Sequence, residues 1–118
     1  MTANHTPGPW AVLPEEADKD YLRIRGTRLG CRYKVANVHM PRLWESHYGL
    51  RDRENAESLA NARLIAAAPE MLDALDGLAA QVRPLWAELD IDGFRHSALK
   101  EAYDFACKVA GKAKGEPQ

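Results

Sequence analysis

Residues 21–40 read YLRIRGTRLGCRYKVANVHM, two runs of strand-forming residues on either side of a glycine-marked turn. In the first run Leu22 and Ile24 fall on one face and Tyr21, Arg23 and Arg25 on the other, the two-residue period of a half-buried strand. Gly26 and Gly30 bracket the connection. The second run, CRYKVANVHM, is rich in β-branched and aromatic residues and ends at Pro41, so the two runs pair as an antiparallel hairpin. Toward the N-terminus, TPGP is turn chemistry, with two prolines fixing φ around a glycine, and Trp10 opens the short run WAVL. That run is expected as an edge strand with Trp10 as a core anchor. Glu15 to Asp20 is a charged loop. Residues 41–54, PRLWESHYGLRDRE, have no period and are expected as loop, with room for a fourth strand.

From Asn55 onward the pattern turns helical. Leu59, Ala62 and Ala66, then Leu72, Leu75, Leu78, Ala79 and Val82, recur at helical spacing. Asn61 and Arg63 are placed on a different face from Leu59 and Ala66. Pro69 interrupts the alanine-rich run, but proline is tolerated in a first helical turn and Glu70 suits the positive end of a helix, so Pro69 reads as the start of a second helix. Ala68, before a proline, is pushed from α geometry, so the two segments are expected to meet at an angle. Pro84 is a further interruption. Ser97 can cap a last helix with Leu99, Ala102, Tyr103, Ala106 and Val109 as its apolar stripe, and the end, residues 111–118, reads as a flexible tail. Strands first and helices second is the order of an α+β fold: a small antiparallel sheet of three or four strands, then two or three helices packed on one face. At 118 residues a single domain is expected, with its β half at about 9–40 and its helical half at about 55–110.

Charge and composition exclude several function classes. The formal charge of −1 argues against a nucleic-acid coat, a DNA mimic or a polybasic membrane anchor. Locally the balance differs: residues 21–43 hold six of the sixteen basic residues and none of the seventeen acidic ones. The opening MTANHTPGPW has no basic region followed by an apolar run, no stretch is long and apolar enough for a membrane span, and Cys31 and Cys107 form no CxxC. A soluble cytoplasmic protein is expected. No glycine pattern follows a strand to make a phosphate loop, and the spacings of Cys31, His39, His47 and Cys107 match no zinc motif. Neither an enzyme nor a cofactor is expected.

What remains is binding chemistry. Arg23 and Arg25 point to the outer face of the hairpin, where the partner strand can add Arg32 and Lys34 beside Tyr21. Guanidinium forks grip phosphate or carboxylate and an aromatic ring stacks on a base, so these five residues are the candidate ligand site. A plain solvated sheet face, its cations discouraging edge pairing, is the competing reading. Trp44 and Tyr48, in the aperiodic stretch, are the candidate partner-binding residues.

Two blocks, HTPGPW at 5–10 and ANARLIAAAPEML at 60–72, carry a resemblance. The chain resembles a group of small, mostly uncharacterised proteins encoded by tailed bacteriophages and prophages. The likeness covers most of residues 5–80 and transfers no catalytic motif. It implies an accessory protein acting in the host cytoplasm by binding, with counter-defence as the leading role. Three modes follow from it: sequestering a nucleotide-type immune signal, commonly in a pocket between protomers of a homo-oligomer; inhibiting a CRISPR effector through protein or nucleic-acid-channel contacts; or a structural or regulatory phage role through oligomerisation.

Overall fold

The computed structural model describes residues 4–40, 48–88 and 97–117. Its elements are β1 (Trp10–Val12), β2 (Tyr21–Gly26), α1 (Arg28–Cys31), β3 (Tyr33–His39), α2 (Tyr48–Ala66), α3 (Ala68–Glu88) and α4 (Ser97–Ala113). The strands form one antiparallel sheet in the order β1-β2-β3, so the architecture is the expected small α+β type. By its contacts the chain divides into two compact units, Met1–Pro69 and Glu70–Gln118.

In the first unit the sheet packs against α2. Leu22 and Ile24 turn inward from β2 and meet Ala62 and Ala66 of α2, with Met40 completing the buried cluster. Alanines at the contact let the helix axis come close to the sheet, and Ala62 is fully buried. Trp10, Val12, Val35, Ala36, Val38 and Leu59 pack around this core. Leu22 pairs with Val38 and Ile24 with Ala36, but Arg25 pairs with Lys34. The skipped residue, Val35, is a bulge that re-aims the strand end.

The two sequence blocks meet in this unit. A Cβ added to Gly8 would lie 2.9 Å from Cβ of the buried Pro69, so only glycine allows the N-terminal turn to close on the α2–α3 junction. The turn is fastened beside this contact. The Trp10 indole donates to the Thr6 carbonyl at 2.9 Å, and the His5 ring stands edge-on to Trp10 at 5.9 Å. Thr27 holds the Pro9 carbonyl with both its backbone N–H, at 3.1 Å, and its hydroxyl, at 3.0 Å.

Helix boundaries depart from the sequence reading in three places. α2 starts at Tyr48, not near Asn55, because leucine, arginine and glutamate in LRDRE favour helix even without an apolar period. α2 ends at Ala66 and α3 opens at Ala68, putting Pro69 and Glu70 in a first turn, but α3 then runs on through Pro84. Proline leaves the Ala80 carbonyl without its helical donor; both residues are exposed, so water can take that bond. α4 continues to Ala113, past the start of the expected tail. Glu116 N–H bonds to Gly111 O at 2.9 Å and Gly115 N–H to Lys112 O at 3.1 Å, with Gly115 at φ 78°, the paired bonds of a Schellman cap.

In the second unit two polar contacts tie α3 to α4. Arg83 Nε donates to the Tyr103 hydroxyl at 3.1 Å, and Lys114 Nζ to Asp76 Oδ1 at 2.9 Å. An earlier residue of α3 thus meets a later residue of the α4 end, so the helices run antiparallel. Leu72, Leu75, Ala79 and Val82 of α3 are half-buried, as are Tyr103, Ala106 and Cys107 of α4, while Ala110 is buried. The predicted stripe of α4 is therefore only partly turned inward: Leu99, Ala102 and Val109 stay exposed, as does Leu78 of α3.

Candidate functional site

The period of β2 decides which side chains share the outer face of the sheet. Leu22, Ile24 and Gly26 are buried, and Tyr21, Arg23 and Arg25 alternate with them on the side away from α2. Direct antiparallel partners lie on the same face, so Tyr21 stands beside His39, Arg23 beside Asn37 and Arg25 beside Lys34. At about 3.3 Å per residue, Tyr21 sits roughly 13 Å along the strand from Arg25. The sheet brings Arg25 and Lys34 together and leaves Tyr21 at the other end. Arg32 is not on the strand; it follows α1 and is exposed at the turn.

Electrostatics divide these cations further. Arg23 Nη2 pairs with Glu16 Oε1, and Lys19 Nζ pairs with Glu16 Oε2. The Lys19 hydrogen bond holds the Glu16 carboxyl below its ordinary value; partial burial opposes this and the Arg23 charge adds to it. The same bond raises the Lys19 ammonium. Arg23 is thus largely neutralised by a loop carboxylate, a partner that the sequence gives no means of assigning. Arg25 donates through Nη1 to the Cys31 carbonyl at 3.1 Å.

That last bond closes an unusual turn. Leu29 (φ 51°, ψ 45°) and Gly30 (φ 67°, ψ 36°) are left-handed, and Cys31 follows with φ 62°. Leu29 and Cys31 bear a Cβ, which makes this conformation cost about 1–2 kcal/mol each. The anchors on either side, Thr27 on Pro9 and Arg25 on Cys31, hold the chain there. The turn displays Leu29, 70% exposed, between Arg28 and Arg32, with Lys34 just beyond. Arg28, Arg32 and Lys34 are exposed and have no acidic partner among the described residues. The basic feature is therefore an open hairpin tip made of Arg25, Arg28, Arg32 and Lys34. Arg28 belongs to it by position, although the strand-face reasoning passed it over.

A second feature lies on the other side of the sheet. Val12 of β1 with Leu13, Pro14 and Glu15 after it, Leu22 of β2, Met40 just after β3, and Asn55, Ala56, Leu59 and Arg63 of α2 line a cleft of ≈ 490 Å³. Asn55, Leu59 and Arg63 are four residues apart and form one helical row. This corrects the assignment of Arg63 to a different face from Leu59: a step of four turns only about 40° around a helix. The four-residue row was the available signal. The walls are mostly apolar, Glu15 and Arg63 bring opposite charges, and Asn55 Oδ1 is buried with no hydrogen-bond donor among the described residues.

Of the partner-binding candidates, Trp44 lies outside the described residues, and so does the side chain of Tyr48, whose backbone opens α2. Cys31 and Cys107 are free thiols, half-buried. Among the described residues no group of three or more His, Cys, Asp or Glu gathers where it could hold a metal ion, and no helix is long and apolar enough to cross a membrane.

Neither a curated protein nor a solved structure matches the chain. A family model does, over residues 1–117, a span that takes in the fastened N-terminal turn, the basic hairpin, α2 and the helical pair. The chain belongs to that phage family, the family of Salmonella phage P22 protein Y8K6.

Proposed function

We propose that this phage protein is a non-enzymatic counter-defence factor that binds a phosphate-bearing partner of the host immune machinery through its basic hairpin tip. The observation that carries the reading is the set of exposed cations at the tip, Arg28, Arg32 and Lys34, without acidic partners among the described residues. Cations already satisfied, such as Arg23, offer little to a ligand; unsatisfied ones give charge-assisted bonds to phosphate oxygens. Two sources of phosphate fit this chemistry: a nucleotide signal, or the nucleic acid carried by a defence effector. A sequestering site for a small nucleotide is concave and buries most of its ligand. The tip is open, which favours the extended strand, with Leu29 adding an apolar contact.

The test is a titration of labelled single-stranded DNA and RNA in parallel with cyclic and ADP-ribose-type dinucleotides. Micromolar oligonucleotide binding is expected, weakening with salt at a slope of about −2 for three cations at ~0.7 each. The triple variant Arg28→Glu, Arg32→Glu, Lys34→Glu loses it, whereas Arg23→Glu, which breaks a pair inside the fold, changes stability more than affinity. A melting-temperature shift with a dinucleotide alone transfers the role to signal sequestration. If neither class binds at low salt, the tip is only a solvated end of the sheet.

A further inference from the structure

We infer that the α3–α4 pair is one half of a symmetric interface, and that a second copy of this chain covers its open apolar face. Met71, Leu78 and Leu85 of α3 recur every seven residues and are all exposed, Leu78 by 65%. Such a repeat drifts only about 20° per step, so the three side chains make a single row along the helix. On α4, Ala102, Phe105 and Val109 make a second exposed row, with Phe105 68% exposed and Leu99 beside it. With the inward Tyr103, Ala106 and Ala110, the apolar arc of α4 covers roughly 160° at about 100° per residue, whereas a helix facing one core needs little more than ~100°. One neighbouring helix cannot cover it.

The two rows lie on the same side of the pair. In α3 the row sits roughly 90° around from the inward Leu72, Leu75 and Ala79, and Asp76 and Arg83, which make the polar ties to α4, are roughly 140–160° away from it. In α4, which runs the opposite way, the exposed row is displaced from its inward residues in the opposite angular sense. Antiparallel helices displaced in opposite senses bring both rows to a common side. The result is a two-helix layer with polar ties on one side and a continuous apolar face on the other, and such a layer buries its face by adding a second layer.

Charge points to a second copy as that layer. The first turn of α3 carries Glu70 at the outer edge of its exposed row, and the last turns of α4 carry Lys108 and Lys112 at the outer edge of theirs. A two-fold axis parallel to the helices lays α3 of one copy over α4 of the other in antiparallel sense. The acidic start of each α3 then comes level with the basic end of the opposite α4, and the helix dipoles oppose favourably. Four helices packed in this way are an antiparallel bundle with seven-residue apolar spacing.

The test is the solution mass of the intact chain by light scattering and sedimentation across micromolar concentrations. A species of twice the 13.2 kDa chain mass is expected, with a melting temperature that rises with protein concentration. Phe105→Glu and Leu78→Glu shift the population to monomer with helical circular dichroism retained; Leu64→Glu, at an exposed position on α2, leaves the dimer intact. Where a charged variant loses its helical signal, Phe105→Ser replaces it, and a weaker dimer by at least tenfold in Kd is expected. A wild-type chain that stays monomeric with a concentration-independent melting temperature overturns the inference, and so does a dimer that Phe105 and Leu78 substitutions leave unchanged.

Discussion

Gly8 and Pro69 meet closely enough that neither can be altered freely. The Gly8→Ala variant must place a methyl group 2.9 Å from the Pro69 ring, so the turn or the helix start has to move. A loss of about 1–3 kcal/mol is expected, the usual range for overpacking, read as a lower urea midpoint at unchanged m-value. Pairing it with Pro69→Gly, which removes the Cβ that the new methyl group meets, should recover part of the loss in a double-mutant cycle, because the two residues share one contact. The same scale shows why the candidate site was only partly legible. Alternation told which face Arg23 and Arg25 occupy. It could not tell that Glu16, in a loop with no period, takes Arg23, nor that a bulge at Val35 is what sets Lys34 opposite Arg25. Those are tertiary and register facts, and local pattern carries neither.

At the scale of elements, β2 was the most readable strand because one of its faces is buried, and burial on one face writes a two-residue period into the sequence. The helices were readable where a stripe faces the sheet, as with Leu59, Ala62 and Ala66, and less so where propensity alone sustains them. The first turns of α2 are an example: they have helix-forming residues and no apolar rhythm. Pro84 is the opposite case, a residue with a strong breaking signal that α3 overrides at an exposed position. Pro84→Ala restores a missing backbone donor without disturbing packing. A stabilisation of up to about 3 kcal/mol is expected, seen as a higher midpoint of the helical signal on heating. A lower midpoint would mean that the proline is packed to advantage and that its exposure misrepresents its role.

At the scale of the whole molecule, the described residues include little buried apolar material. The cluster in the first unit is Leu22, Ile24, Met40, Ala62 and Ala66, and Ile24 is its largest fully buried side chain. Removing most of that side chain in Ile24→Ala should cost about 2–5 kcal/mol. Against a typical total of about 5–15 kcal/mol, this is a large share of the stability, measurable as weakened hydrogen-exchange protection in β2. Economy in the core has a counterpart at the surface, where Leu29, Phe105, Leu78 and Met71 are exposed.

The contact between Gly8 and Pro69 also sets an order on biosynthesis. The N-terminal turn is the first part of the fold to be made, yet the residue against which it closes is more than halfway along the chain. At about 5–20 residues per second, the turn waits roughly 3–12 s before Pro69 has been added. The sheet and α2 are complete in sequence before the N-terminal turn has the residue on which it closes. The strap that fastens this unit is thus the earliest segment synthesised and among the last to find its place.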